Sequence, residues 1–180
     1  QYKSDWDALN ELMAAAGHKL NDAGADCLLI CSNTMHECAP HIEKQIDIPL
    51  IHIADTVGDF LVKGNFKRAA LLGTKFLMKS DTYTDRLKNK FGIETILPDD
   101  ENIEVINQII YKELVKGIIK DHSRDRMLSI IEDLKSRGAE AVILGCTEIP
   151  LLIKQDHCDI PVIDTTDIHA RSAVNYILGT

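Results

Sequence analysis

Three short polar turns carry the side chains best suited to chemistry: Ser32-Asn33-Thr34, Gly73-Thr74-Lys75 and Cys146-Thr147-Glu148. Each follows an apolar run of strand length and leads into a segment of helical pattern. Hydroxyl, amide and thiol groups there stand beside the free N–H donors of a helix start, which favour anions. The same placement is expected to lower the Cys146 pKa, which makes that thiol a candidate base or nucleophile. The competing reading of Cys146 is a small buried residue closing a strand. Thr74 suits a carboxylate, although a generic strand-to-helix turn looks similar.

The other candidates are weaker. Cys27 alternates with apolar neighbours and reads as core. Cys31 exchanges places with Ser32 if the strand register slips by one residue. Cys38 and Cys158 fall in a helix and a loop. His36 is placed either to orient a ligand or to cap the helix after Thr34. Lys116 lies on a long helix and is solvated unless the cleft needs a cation. Cys31, His36, Cys38 and His41 lie close together, but a structural zinc site pairs two compact ligand knuckles and no second one is found, so no metal is assigned. No G-x-G-x-x-G or G-x-x-x-x-G-K-[ST] pattern is present, and no cofactor is implied.

An internal repeat separates chemistry from coincidence. Gly24-Ala25-Asp26-Cys27-Leu28-Leu29-Ile30-Cys31-Ser32-Asn33-Thr34 aligns with Gly138-Ala139-Glu140-Ala141-Val142-Ile143-Leu144-Gly145-Cys146-Thr147-Glu148. Some way further on, Asp47-Ile48-Pro49-Leu50-Ile51 matches Asp159-Ile160-Pro161-Val162-Ile163. Ser32 therefore falls opposite Cys146. Two similar α/β lobes, facing each other with equivalent turns in one cleft, are the expected result, because parallel sheets bind ligands at their carboxyl ends.

Apolar runs alternate with amphipathic stretches, the pattern of parallel βαβ units. Strands are predicted at 27–31, 50–53, 68–73, 94–97, 141–145 and 162–164. Helices are predicted at 4–23, 37–45, 56–63, 82–90, 102–120, 124–137 and 168–178. Ser4 and Ser123 read as N-caps, and Gly24, Gly92 and Gly138 as helix stops. One lobe is expected to comprise 1–53 plus 163–180, the other 54–162.

With 180 residues, 45% of them hydrophobic, the chain can bury a core without disulfides or metal. Twenty Lys plus Arg against 28 Asp plus Glu give a formal charge of -8, with no basic stripe to track phosphates, so nucleic acid is excluded as a partner. No apolar run reaches the roughly 18 residues of a membrane span. Five scattered cysteines argue for reduced thiols, and cytoplasm is the expected compartment.

The two turns resemble the aspartate/glutamate racemase superfamily, whose marks are a C-N-T turn in one lobe and a G-C-T-E turn in the other. Here they read Ser32-Asn33-Thr34, continuing Met35-His36, and Gly145-Cys146-Thr147-Glu148. The resemblance covers essentially the whole chain. It implies a two-lobe α/β homodimer that inverts an acidic amino acid without pyridoxal phosphate (PLP), two cysteines serving opposite faces of the α-carbon. By resemblance Asn33, Thr34, Thr74 and Thr147 bind the substrate carboxylate and amino groups, with Glu148 in the same set, and Lys116 holds a side-chain carboxylate.

Two departures from the family shape the reading. Ser32 replaces the first cysteine, and a hydroxyl is a poor base beside a thiol, so Cys146 and Ser32 are expected to work unequally. The chain also opens on Gln1, so the family's N-terminal strand and Gly-rich loop are expected to be missing. Racemisation of aspartate or glutamate leads the hypotheses. A decarboxylase-like reaction using Cys146 alone, and a degenerate binding protein for acidic metabolites, are the alternatives.

Overall fold

The computed structural model describes residues 5–179. Along the chain run α1 (Trp6–Asp22), a 3-10 turn (Thr34–Cys38), α2 (Ala39–Glu43), α3 (Ile53–Lys63), β1 (Arg68–Gly73), α4 (Lys75–Lys79) and α5 (Asp81–Phe91). There follow β2 (Glu94–Ile96), α6 (Asp100–Lys112), a 3-10 turn (Leu114–Lys116), α7 (Asp121–Ser136), β3 (Ala141–Gly145) and α8 (Ile149–Leu152). A last 3-10 turn (Gln155–His157) leads to β4 (Val162–Asp164) and α9 (Thr165–Leu178). The strands form one parallel sheet in the order β2-β1-β3-β4.

Side chains alternate across a strand, and here both faces are covered. Ala70, Leu72, Val142 and Leu144 pack with Ile106 and Ile110 of α6 and Met127 and Ile130 of α7. Ala69, Leu71, Ala141 and Ile143 pack on the other face with Leu61 of α3 and Leu87 of α5. That double burial is why these strands are apolar throughout. A separate, smaller cluster of Leu28, Ile30, Cys38, Ala39 and Ile42 lies beneath α1.

The internal repeat is visible in the backbone. Val142 pairs with Val162 in the sheet, and the equivalent residues Leu28 and Leu50 form an isolated parallel bridge. Leu28 N–H donates to the Pro49 carbonyl at 2.9 Å, and Val142 N–H donates to the Pro161 carbonyl at 2.9 Å. The first copy goes no further, so the strands expected at 27–31 and 50–53 reduce to this one bridge.

Several boundaries differ from the sequence reading, each for a local reason. The helix expected at 102–120 ends at Lys112, and Gly117, at φ 70, closes the 3-10 turn that follows it; only glycine takes that conformation cheaply. Pro40 begins α2 afresh, since proline fits a first helical turn but not an interior. Ser123 is not a cap: α7 starts at Asp121, and the buried Ser123 hydroxyl donates to Glu113 Oε2 at 2.6 Å. Ser4 lies outside the described residues, and Asp5 caps α1 by accepting from Ala8 N–H at 3.1 Å. Gly24, Gly92 and Gly138 stand at helix ends with positive φ, as expected.

Residues 163–179 pack chiefly against β3 and α3. β4 pairs with β3, and α9 lies against α3, β3 and β4 because Ile163 and Ile168 complete the apolar face of Leu61, Leu71 and Ile143. α9 also touches the first segment, through His169 Nε2–H to the Ile51 carbonyl at 2.6 Å.

Candidate active site

The register of β1 against β3 builds the first wall of the site. Gly73 pairs with Gly145, so Thr74 and Cys146 leave the sheet side by side at its carboxyl end. The approach is close: a Cβ on Gly73 would stand 3.0 Å from the Gly145 carbonyl oxygen, and one on Gly145 would stand 3.1 Å from the Leu72 oxygen and 2.6 Å from a Leu77 methyl. A side chain at either position would crowd Leu77 and the facing backbone.

Cys146 is buried, and its Sγ lies 3.0 Å from Glu148 Oε2, the thiol donating. Burial pushes the thiol pKa up, the Glu148 carboxylate adds to this, and the backbone N–H groups of Glu148 and Ile149 only partly offset them, leaving it at about 12. The sequence expectation of a lowered Cys146 pKa is thus corrected, since desolvation and a facing carboxylate outweigh the helix-start donors. Burial would raise Glu148 as well, yet the hydrogen bonds from Cys146 and Thr147 hold it below the ordinary carboxylate range. The resting pair is a protonated thiol beside an ionised carboxylate.

The facing turn is fixed by side chains. Thr165 Oγ1 donates its single proton to the Leu144 carbonyl at 2.9 Å, so it can only accept from Asn33 Nδ2, at 3.0 Å. This sets the Asn33 amide with its Oδ1 turned away, and that buried oxygen has no partner among the described residues. Asn33 is 4% exposed, which makes an unpartnered acceptor costly unless something donates to it. Thr34 and Thr74 share a hydroxyl–hydroxyl hydrogen bond of 3.1 Å across the cleft. Glu37 accepts from Ser80 Oγ at 2.5 Å and Thr82 Oγ1 at 3.0 Å.

These turns enclose a cavity of about 330 Å³. Ser32, Asn33, Thr34, Thr74, Cys146, Thr147 and Glu148 all line it, together with Cys31, Met35, Ile110, Tyr111 and Val115. Most of the side chains singled out from sequence therefore meet in one place, polar on the sheet side and apolar on the α6 side.

Comparison with known proteins bears directly on this arrangement. Residues 1–173 match the Asp/Glu/Hydantoin racemase family. The chain belongs to that family. Its members are isomerases, and among the relatives is the broad-specificity amino-acid racemase RacX of Bacillus subtilis (strain 168), 26% identical over 97% of this chain and 75% of the relative. A crystal structure from Yersinia pestis, described as a candidate Asp/Glu racemase, superposes with a TM-score of 0.93 at 42% identity, covering 99% of this chain and 77% of that one. An aspartate racemase homologue from Pyrococcus horikoshii OT3 gives 0.87 at 33% identity over 98% and 77%.

The register that pairs Leu28 with Leu50 as Val142 with Val162 aligns Ser32, not Cys31, with Cys146, although both residues line the cavity. Lys116 is exposed and does not line the cavity; its neighbour Val115 does. His36 reaches no cavity surface and instead binds backbone on both sides of its ring. Thr165 was missed in the sequence, yet it follows β4 as Thr74 follows β1, and a register count from Leu144 opposite Asp164 would have found it. Tyr111 and Ile110 were missed because one turn of a long amphipathic helix looks like any other. Among the described residues, no group of three or more His, Cys, Asp or Glu is placed to hold a metal, and no helix is long and apolar enough to cross a membrane.

Proposed function

We propose that the protein racemises aspartate or glutamate by 1,1-proton transfer without PLP, with Cys146 on one face of the α-carbon and Ser32 on the other. The observation that carries this is the convergence of the two repeat-related turns on one cavity, with a single thiol–carboxylate pair on one side. The Cys146 proton passes to Glu148 Oε2, the thiolate takes the α-proton, and the resulting carbanion is protonated from the opposite face. There the Ser32 hydroxyl hands on its proton and recovers one from water, and the hydroxide so formed takes back the proton held by Glu148. A hydroxyl relays a proton but is a weak base, so α-proton exchange with solvent is unequal from the two enantiomers while inversion is slow in both directions.

Substrate placement follows from the unsatisfied groups. The free Asn33 Oδ1 accepts from the substrate ammonium, while Thr34, Thr74 and Thr147 offer hydroxyls to the α-carboxylate. Lys116, exposed and without an ion-pair partner among the described residues, stands one residue beyond Val115 at the cavity rim, where its long stem can bring the ammonium over a side-chain carboxylate. Function in a homodimer and in the cytoplasm belongs to the same proposal.

Proton NMR of both enantiomers of aspartate and glutamate in D₂O tests it. The α-proton signal should be lost with wild type and retained with Cys146→Ala, and no exchange with any of the four would end the racemase reading. A second reading has one observation in its favour: a resting protonated thiol is ready to protonate a carbanion left by loss of carbon dioxide. Carbon dioxide release from a substituted malonate, abolished in Cys146→Ala, would select it instead.

A further inference from the structure

Three buried histidines take no part in these proton transfers: His36, 2% exposed, and His52 and His169, each 4% exposed. The His36 ring centroid lies 4.5 Å from that of His52 and 5.6 Å from that of His169. They come from the turn after Ser32, the crossover into α3, and α9. Each ring satisfies one backbone group of that short crossover. Ile53 N–H donates to His36 Nε2 at 3.1 Å, Ala54 N–H donates to His52 Nδ1 at 3.2 Å, and His169 Nε2–H donates to the Ile51 carbonyl. His36 also reaches back toward the cavity, its Nδ1–H donating to the Ser32 carbonyl at 2.7 Å.

The partners fix the tautomer of His36. A backbone N–H can only donate, so Nε2 carries no proton, and a carbonyl can only accept, so Nδ1 carries it. A charged ring would turn a second N–H onto that of Ile53. Burial draws the His36 pKa down to about 4 against the pull of the Ser32 carbonyl, with His169 and Arg86 adding to the depression and Asp55 opposing it. An apolar ring would fill the same space without joining Ser32 to Ile53.

We propose that neutral His36 is the positioning residue of the Ser32 face: by joining the Ser32 carbonyl to the Ile53 amide, it sets where the Ser32 side chain stands relative to Cys146. The inference rests on the racemase reading. Its consequence is specific, because reprotonation by Cys146 gives back the starting enantiomer, deuterated, whereas reprotonation from the Ser32 face gives the inverted one. The share of inverted product in D₂O is therefore an internal ratio, unaffected by how much of the sample is folded.

The test starts from the enantiomer whose exchange depends on Cys146. His36→Gln keeps an acceptor for Ile53 but loses the donor to Ser32, and should cut the inverted share about tenfold, in line with the steep cost of small misplacements. His36→Asn keeps an amide N–H near the Nδ1 position but loses the acceptor for Ile53, and should cut the share as well, by about threefold on the same argument. A lower total rate with an unchanged inverted share in both variants overturns the proposal, since that is what a merely structural role gives. Should neither variant fold, two-dimensional 15N–1H NMR of the wild-type histidines decides: a neutral Nδ1–H tautomer for His36 near neutral pH is expected, and an Nε2–H or charged ring would overturn it. Absence of any exchange by wild type would instead remove the racemase reading, leaving the tautomer result to stand by itself.

Discussion

The two halves of the repeat reach the same cavity by different means. In the second half the Cys146 turn ends a strand buried on both faces and hydrogen-bonded to neighbours on either side. In the first half the Ser32 turn follows a single bridge and is held by side chains: Asn33 to Thr165, Thr34 to Thr74, His36 to Ile53 and Glu37 to Ser80. One face of the site is thus placed by a sheet ladder and the other by a set of directional contacts. Sequence similarity between two segments does not make their structural support equal.

The largest expected effect separates the two faces chemically. Cys146→Ala should lower α-proton exchange about 10³-fold, the scale of losing a general acid–base group, whereas Ser32→Ala should chiefly reduce inversion; equal losses of exchange in D₂O would break the comparison. Next comes the difference in supporting core. Leu144→Ala should cost about 2–5 kcal/mol in urea denaturation, and Leu28→Ala, in the smaller cluster, roughly half as much. A Leu28 variant as costly as Leu144 would show that the first half is no less firmly built.

Thr165→Val strips the donor from Leu144 and the acceptor from Asn33, and should cost about 1–3 kcal/mol by thermal unfolding while slowing catalysis on both faces. Acid should act on the junction of the halves. The His36 pKa is lowered from 6.5 to about 4, so between those values the unfolded chain binds a proton that the native state does not, and stability is lost as pH falls from 6.5 toward 4. His52 and His169, also lowered by burial, add to the same loss. For His36 alone the drop is roughly 2 kcal/mol at about pH 5, measurable by urea midpoints, and His36→Gln should flatten it. The smallest effect is Thr34→Val, about 1 kcal/mol or less from one hydroxyl pair, with a rise in KM larger than its fall in kcat.

Much of this was legible in the residues. Continuous apolar runs at 68–73 and 141–145 announced strands covered on both faces, and the aligned Asp-Ile-Pro segments anticipated the matching pairs Leu28–Leu50 and Val142–Val162. Ser32, Asn33, Thr34, Thr74, Cys146, Thr147 and Glu148, which line one cavity, stand out in the sequence as polar turns after apolar strands. Lys116 was not resolved in the same way, since helical periodicity gives no warning that α6 stops at Lys112 and that Gly117 turns the chain. Burial and the facing Glu148 reversed the expected Cys146 shift, and neither is visible to a rule about helix ends.

The sequence by itself determined the four strands of the sheet, the repeat, the family and the identity of the two opposed turns, because those depend on side-chain order and local periodicity. Only the tertiary structure decided that Cys146 rests as a thiol on Glu148, that Thr165 orients Asn33, that α9 packs against α3 and β3, and that three histidines clamp the crossover behind Ser32. Asn33 meets Thr165, and His169 meets Ile51, across more than a hundred residues of chain, and the state of Cys146 depends on the loss of water around it; neither is written in local periodicity.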